Sequence, residues 1–271
     1  MWLHRLRPRT RVAVGLLLVA LVHDAGSAQE RPPDPANVTI RVYSGGAPRV
    51  ALTRCTAAFE SRTGYRVTLT FDGVSGIRDR LNAGEQADVI LLPTPMIEAL
   101  EVSGRVRRDS RMVLARSALG VVVRNSAPAP DISSVEGFRA AVVAASSIAY
   151  SDPRLAPSGV HLTRVFERLG ITEVVRPKTI LRTPFDGGVA LVAKGEAELG
   201  IYLVTEIKMV DGVLLVGLLP PELQSFVVYA GSVAADSPVA GPARTFLSFL
   251  SDPVARQYWE AAGFESLGAL K

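Results

Sequence analysis

Histidine and cysteine are almost missing from this chain. Among 271 residues one is Cys, at position 55, and three are His, two of which, His4 and His23, come before residue 28. His161 is left alone in the remainder. A lone thiol closes no internal disulfide, a His-rich metal site finds no ligands, and a Ser-His-Asp relay would have only His161 to use. No G-x-S-x-G, H-E-x-x-H, Walker A or C-x-x-C pattern occurs. These absences weigh against most enzyme classes. The expectation is a protein without catalytic residues, metal or cofactor.

The chain is also short of apolar runs that could span a bilayer. Val12 to Val22 covers about 11 residues, where a membrane helix needs roughly 20. That run follows Arg5, Arg7, Arg9 and Arg11 and precedes the small residues Gly26-Ser27-Ala28. The order is that of a secretory signal peptide over residues 1–28, which predicts export with cleavage near Ala28. Without it the chain loses four positive charges and one negative, so a formal net charge of +4 becomes +1. The high isoelectric point therefore belongs to the leader, and nucleic acid is not an expected partner.

What is present is apolar patterning. Hydrophobic residues make up 48%, enough for substantial cores. Val38–Tyr43 reads as a strand. Leu52, Cys55 and Phe59 mark the buried face of a helix over Arg49–Arg62, with Gly64 as its stop. Val67, Leu69 and Phe71 alternate with polar residues, as a strand does, and Val89–Leu92 is wholly apolar, as a strand covered on both faces would be. A short helix, Ile77–Ala83, lies between these two strands.

A helix over Pro93–Ser103, an Arg-rich turn over 104–111 and a strand at Leu119–Arg124 come next. The loop Asn125–Ser134 then leads to a second α/β series. It consists of a helix at Val135–Ala144, a strand at Ile148–Tyr150, a helix with Ser158 as N-cap, a strand at Thr179–Leu181, a helix at Phe185–Lys194 and a strand at Leu199–Leu203. Strands at Val213–Leu219 and Phe226–Ala235 and helices at Ala240–Leu250 and Pro253–Ala262 complete the chain. The expected fold class is α/β, in two lobes that are each a mainly parallel sheet flanked by helices. Lobe 1 is expected at 29–118 and 218–271 and lobe 2 at 119–217, with hinges near Ala118 and Gly217.

One stretch suggests chemistry. In Tyr43-Ser44-Gly45-Gly46-Ala47-Pro48-Arg49 a strand stops at small residues and a helix begins, so backbone N–H groups and the helix dipole face whatever lies above. Similar corners recur at Asp72–Ile77 and Ala156–His161. Each serves equally well as an ordinary turn.

Taken together, four segments resemble the type II periplasmic solute-binding proteins, especially the molybdate-binding family of ABC importers. They are Val42-Tyr43-Ser44-Gly45-Gly46-Ala47; Gly73-Val74-Ser75-Gly76 with Ala83-Gly84-Glu85-Gln86-Ala87-Asp88-Val89; Ala149-Tyr150-Ser151-Asp152-Pro153 with Ser158-Gly159; and Lys194-Gly195-Glu196-Ala197-Glu198-Leu199-Gly200-Ile201. The resemblance implies a clamshell that delivers an oxyanion to a membrane permease without covalent chemistry. By position, Ser75 matches a serine that contacts the anion in that family. The family's first serine falls at Ala47 here, and its tyrosine at Leu203, one residue after Tyr202.

The expected ligand is a small anion, either molybdate-like or a small organic carboxylate, held by a monomer. Its expected contacts are Ser44, Gly46, Ser75, Gly76, Ser158 and Gly159, with Arg49 and Tyr202 as further candidates. A sensor or scaffold for a membrane receptor is the alternative of another class. A hydrolase using Ser158 and His161, three residues apart at a helix start, is a third, and it lacks an identified orienting acid.

Overall fold

The structure is a computed structural model that describes Met1, residues 35–182 and residues 187–266. The expected signal peptide and the first two residues of the helix expected at Phe185–Lys194 lie outside the described residues. Among the described residues, no helix is long and apolar enough to cross a membrane.

The first half of the chain alternates β1 (Thr39–Ser44), α1 (Arg49–Thr63), β2 (Arg66–Phe71), α2 (Val74–Asn82), β3 (Val89–Pro93) and α3 (Thr94–Val102) before the long β4 (Met112–Arg124). Then come α4 (Val135–Ala144), β5 (Ile148–Tyr150), α5 (Pro157–Arg168), α6 (Thr172–Val175), β6 (Thr179–Leu181), α7 (Gly188–Lys194), β7 (Leu199–Leu203) and α8 (Val204–Ile207). The last elements are β8 (Val213–Leu218), β9 (Phe226–Val233), α9 (Ala240–Phe249), α10 (Pro253–Ala261) and β10 (Glu265–Ser266).

Two strand sets repeat one plan. β2, β1 and β3 are parallel, in that order, and β9 joins β3 antiparallel; β6, β5 and β7 are parallel, and β4 joins β7 antiparallel. β4 ties the sets together. Through Ala118 it pairs with β9, and from Leu119 onward it pairs with β7. β8 stays with the second set as far as Leu218, so residues 219–225 carry the chain back to β9. The fold is thus the expected α/β arrangement of two mainly parallel sheets flanked by helices.

Strand alternation sorts the core. Ile40, Val42, Val89 and Leu91 pack with Leu52, Phe59, Phe246 and Trp259 under α1, α9 and α10, while Tyr43, Ile90 and Leu92 pack with Ile77, Leu81 and Ile97 under α2 and α3. Period-2 side chains with helices on both faces explain why Val89–Leu92 is apolar at every position. Phe59 meets Phe246 edge-on at 5.0 Å. Cys55 lies in this core, where burial pushes its thiol up to about 12, which suits a packing role.

One charge pair is built into the first sheet. Arg41 donates to Asp88 through its backbone N at 2.8 Å and its Nε at 2.9 Å, and Ser237 Oγ adds a bond at 2.8 Å. Burial alone would push the Asp88 carboxyl up. The bonds from Arg41 and Ser237 outweigh that and hold it below the ordinary carboxylate range.

Several elements differ from the sequence reading; α2 begins at Val74 and not Ile77, so Ser75 and Gly76 lie inside it, and α6 and β10 were not expected. β4 begins at Met112, not Leu119, because Arg116 and Ser117 interrupt the apolar pattern in a segment that pairs with β9 on both sides of a bulge at Leu114. α5 begins at Pro157, with Ala156 in the capping position, so Ser158 sits inside the first turn. Finally, α8 follows β7 with no turn residue between them, a short helix that no Gly or Pro announces.

Candidate functional site

Three helices start at one cleft. α2 begins after Gly73, α3 after Pro93 and α5 after Ala156, and none of the three has a side-chain cap. First-turn N–H groups without intrahelical acceptors, together with three positive dipole ends, favour an anion there. The cleft has a volume of about 1240 Å³.

Ser75 and Arg78 line one side from α2, joined by Arg105. Ser158, His161 and Arg164 line the other from α5, with Arg154 just ahead of that helix. Leu119 on β4 and Phe226 to Val228 on β9 supply an apolar floor. Among the described lining residues four are arginine, one is histidine and none is Asp or Glu. The spacing explains the convergence: Ser75 and Arg78 are three apart, as are Ser158, His161 and Arg164, so each set shares one helix face.

The cations differ in what already holds them. Arg154 is bound to Asp152 by a contact of 2.6 Å, which holds that carboxyl below its ordinary range. Arg105 Nη1 donates to the Leu81 carbonyl at 2.8 Å. Arg78 reaches its neighbour Asp79 at 3.1 Å. Arg164 has no hydrogen-bond or ion-pair partner among the described residues.

His161 Nε2 lies 2.8 Å from the Leu223 carbonyl. A carbonyl only accepts, so Nε2 carries the hydrogen and a neutral ring keeps Nδ1 as its acceptor.

Of the residues expected from sequence, Ser75 and Ser158 line the cleft from opposite sides. Ser44 is fully buried, and its hydroxyl donates to the Gly45 carbonyl at 2.9 Å. Gly46 closes the turn into α1, its carbonyl accepting from Arg49 N at 3.0 Å. The Arg49 guanidinium lies 4.7 Å from the centre of the Phe71 ring, a cation–π contact. Tyr202 is fully buried, donates to the Arg182 carbonyl at 3.2 Å, and is pushed upward in pKa chiefly by burial.

Gly76 and Gly159 act through close approach. A Cβ on Gly76 would overlap the Asp72 carboxylate, and one on Gly159 the Ser151 carbonyl oxygen. The Gly159 N–H already donates to Ala156 at 3.1 Å. Asp72 accepts from Gly73 N at 2.8 Å and from Arg80 Nε at 3.1 Å. Sequence reasoning had passed over Arg78, Arg154 and Arg164; the helical spacing of Arg78 from Ser75 and of Arg164 from Ser158 and His161 was the available signal, whereas Arg154 lies in the loop before α5.

A family model described as bacterial extracellular solute-binding protein matches residues 40–265. An aconitate isomerase from a Pseudomonas species is 33% identical over 85% of this chain and 89% of its own. The molybdate-binding protein ModA of Escherichia coli is 23% identical over 83% of this chain and 88% of its own. Among solved structures, the periplasmic molybdate-binding protein of Azotobacter vinelandii superposes with a TM-score of 0.69 at 20% identity, covering 83% of this chain and 98% of that one. At that identity the likeness speaks for the fold alone.

Proposed function

Because the chain belongs to the bacterial extracellular solute-binding protein family, we propose that it captures a small polycarboxylate between its two lobes and delivers it to an ABC importer in the membrane. The observation that carries the ligand class is the cleft itself: arginines from α2 and α5 and their surroundings, no carboxylate among the described lining residues, and an apolar floor. A guanidinium fork matches a carboxylate bidentately. A solute with several carboxylates can meet the arginines of α2 and α5 at once, and its carbon skeleton can lie on Leu119 and Phe226. The 33% identical relative, named for acting on aconitate, an unsaturated tricarboxylate, supports the same ligand class.

On this reading the lobes are residues 29–118 with 218–271, and residues 119–217. Closure is a hinge motion about β4 and the 219–225 segment, favoured by contacts to both sides. Residues 1–28 act as the export signal. A thermal-shift series tests the ligand class. Propane-1,2,3-tricarboxylate and aconitate should raise the melting temperature; molybdate, tungstate and sulfate at equal concentration should not. The reverse ranking removes the carboxylate reading.

A second reading keeps the cleft and adds chemistry. It rests on the name of the 33% identical relative, an isomerase within a matching length of chain. Binding alone and binding with isomerisation share the same first step.

A further inference from the structure

On the reading that the cleft holds a polycarboxylate, we propose that His161 carries the proton in an allylic isomerisation of an unsaturated tricarboxylate bound there. His161 lines the cavity one helical turn from Ser158 and one from Arg164, which line it too. Its Nε2 is fixed by the Leu223 carbonyl at 2.8 Å, so Nδ1 is the basic nitrogen. No Asp, Glu, Cys, Lys or Tyr is among the described lining residues, and arginine does not give up its proton. Among the described lining residues the imidazole is therefore the group suited to act as the base.

The same arginines make the carbon acid reactive. Removing a proton from a methylene that lies between a carboxylate and a carbon–carbon double bond places negative charge on the allyl system and its carboxylates. Guanidinium groups already paired to those carboxylates stabilise that charge as it forms. Nδ1 takes the methylene proton, and the C–H electron pair becomes a new double bond to the central carbon. The old double-bond pair moves to the far carbon, which takes the proton back from the imidazolium. The double bond has shifted by one carbon, which interconverts the geometric isomers. No oxidant, reductant or second substrate is consumed.

The test uses the purified full chain in deuterium oxide with cis-aconitate, followed by proton nuclear magnetic resonance, alongside thermal shift with propane-1,2,3-tricarboxylate, which has no double bond to move. Expected are conversion to the trans isomer and deuterium in the methylene. His161→Gln, whose amide can still donate to Leu223, should keep the thermal shift and lose isomerisation by at least ~100-fold, the usual span of general base catalysis. His161→Asn serves if the first variant does not fold.

A wild-type protein that is stabilised by the tricarboxylate but neither isomerises nor exchanges overturns the proposal. So does a glutamine variant as active as wild type. Both results leave the binding reading standing, whereas no thermal shift with either tricarboxylate removes that reading and this inference together.

Discussion

Arg164 is the cleft cation whose charge nothing offsets among the described residues, and Arg154 is its opposite, already tied to Asp152. A charge-assisted hydrogen bond contributes roughly 1.5–3 kcal/mol, or about 10- to 100-fold in affinity. Arg164→Ala should therefore weaken tricarboxylate binding by that factor in calorimetry, while Arg154→Ala should cost less because Asp152 competes for its guanidinium. Arg164 is exposed, so its melting temperature without ligand should hardly move. Asp88 predicts the reverse pattern. Its carboxyl is held below the ordinary range, so its stabilising effect is complete above the unfolded carboxylate pKa of about 3.9 and is lost as pH falls through the lower folded value. Asp88→Asn should lower the melting temperature at pH 7 and shrink the gap from wild type near pH 3, with ligand affinity unchanged.

At the scale of elements, the cleft depends on where three helices are allowed to begin. Gly159 lets α5 rest on the Ser151–Pro153 backbone, and because the obstacle is main chain no side-chain rotation relieves it. Gly159→Ala should cost on the order of 1–3 kcal/mol and displace Ser158 and His161 from the site. A lowered melting temperature together with lost tricarboxylate binding would express both effects; an unperturbed melt would contradict the packing. Most of these elements were readable beforehand. Alternation in Val67–Phe71, the apolar run at Val89–Leu92 and the Leu52-Cys55-Phe59 face each express a local period that burial on known faces enforces. β4 was half missed because its first seven residues owe their extended form to β9, more than a hundred residues away, and not to local pattern. The cleft followed the same division. Ser75 and Ser158 stood in recognisable corners, whereas the arginines that give the cleft its charge resemble any solvated helix face until the two sheets are assembled around them.

For the molecule as a whole, the joint between the two sheets carries a titratable group. Glu206 lies in α8, directly after β7, with its carboxylate accepting from Leu203 N at 3.1 Å, and its charge is felt at Tyr202 of one sheet and Tyr229 of the other. Burial pushes the Glu206 carboxyl up to about 8, more than the Leu203 bond offsets. Folded protein therefore holds a proton between about pH 4.3, the unfolded value, and about 8 that the unfolded chain has released. Stability contributed by that proton is present in full below the lower value, declines across the window as pH rises, and stops declining above the upper one. Glu206→Gln keeps the shape and removes the titration. Its melting temperature should change less than that of wild type between pH 5 and 8.5, with the variant ahead at the alkaline end. Arg116, Ser117 and Thr205 surround the same stretch of β4 and α8, and Ser117 and Thr205 share a hydroxyl contact of 3.2 Å. A wild-type slope that survives in the glutamine variant would place the titrating group elsewhere. If ligand affinity also shifts with pH in wild type and not in the variant, the proton at this joint is coupled to ligand binding, although Glu206 is not among the described residues that line the cleft.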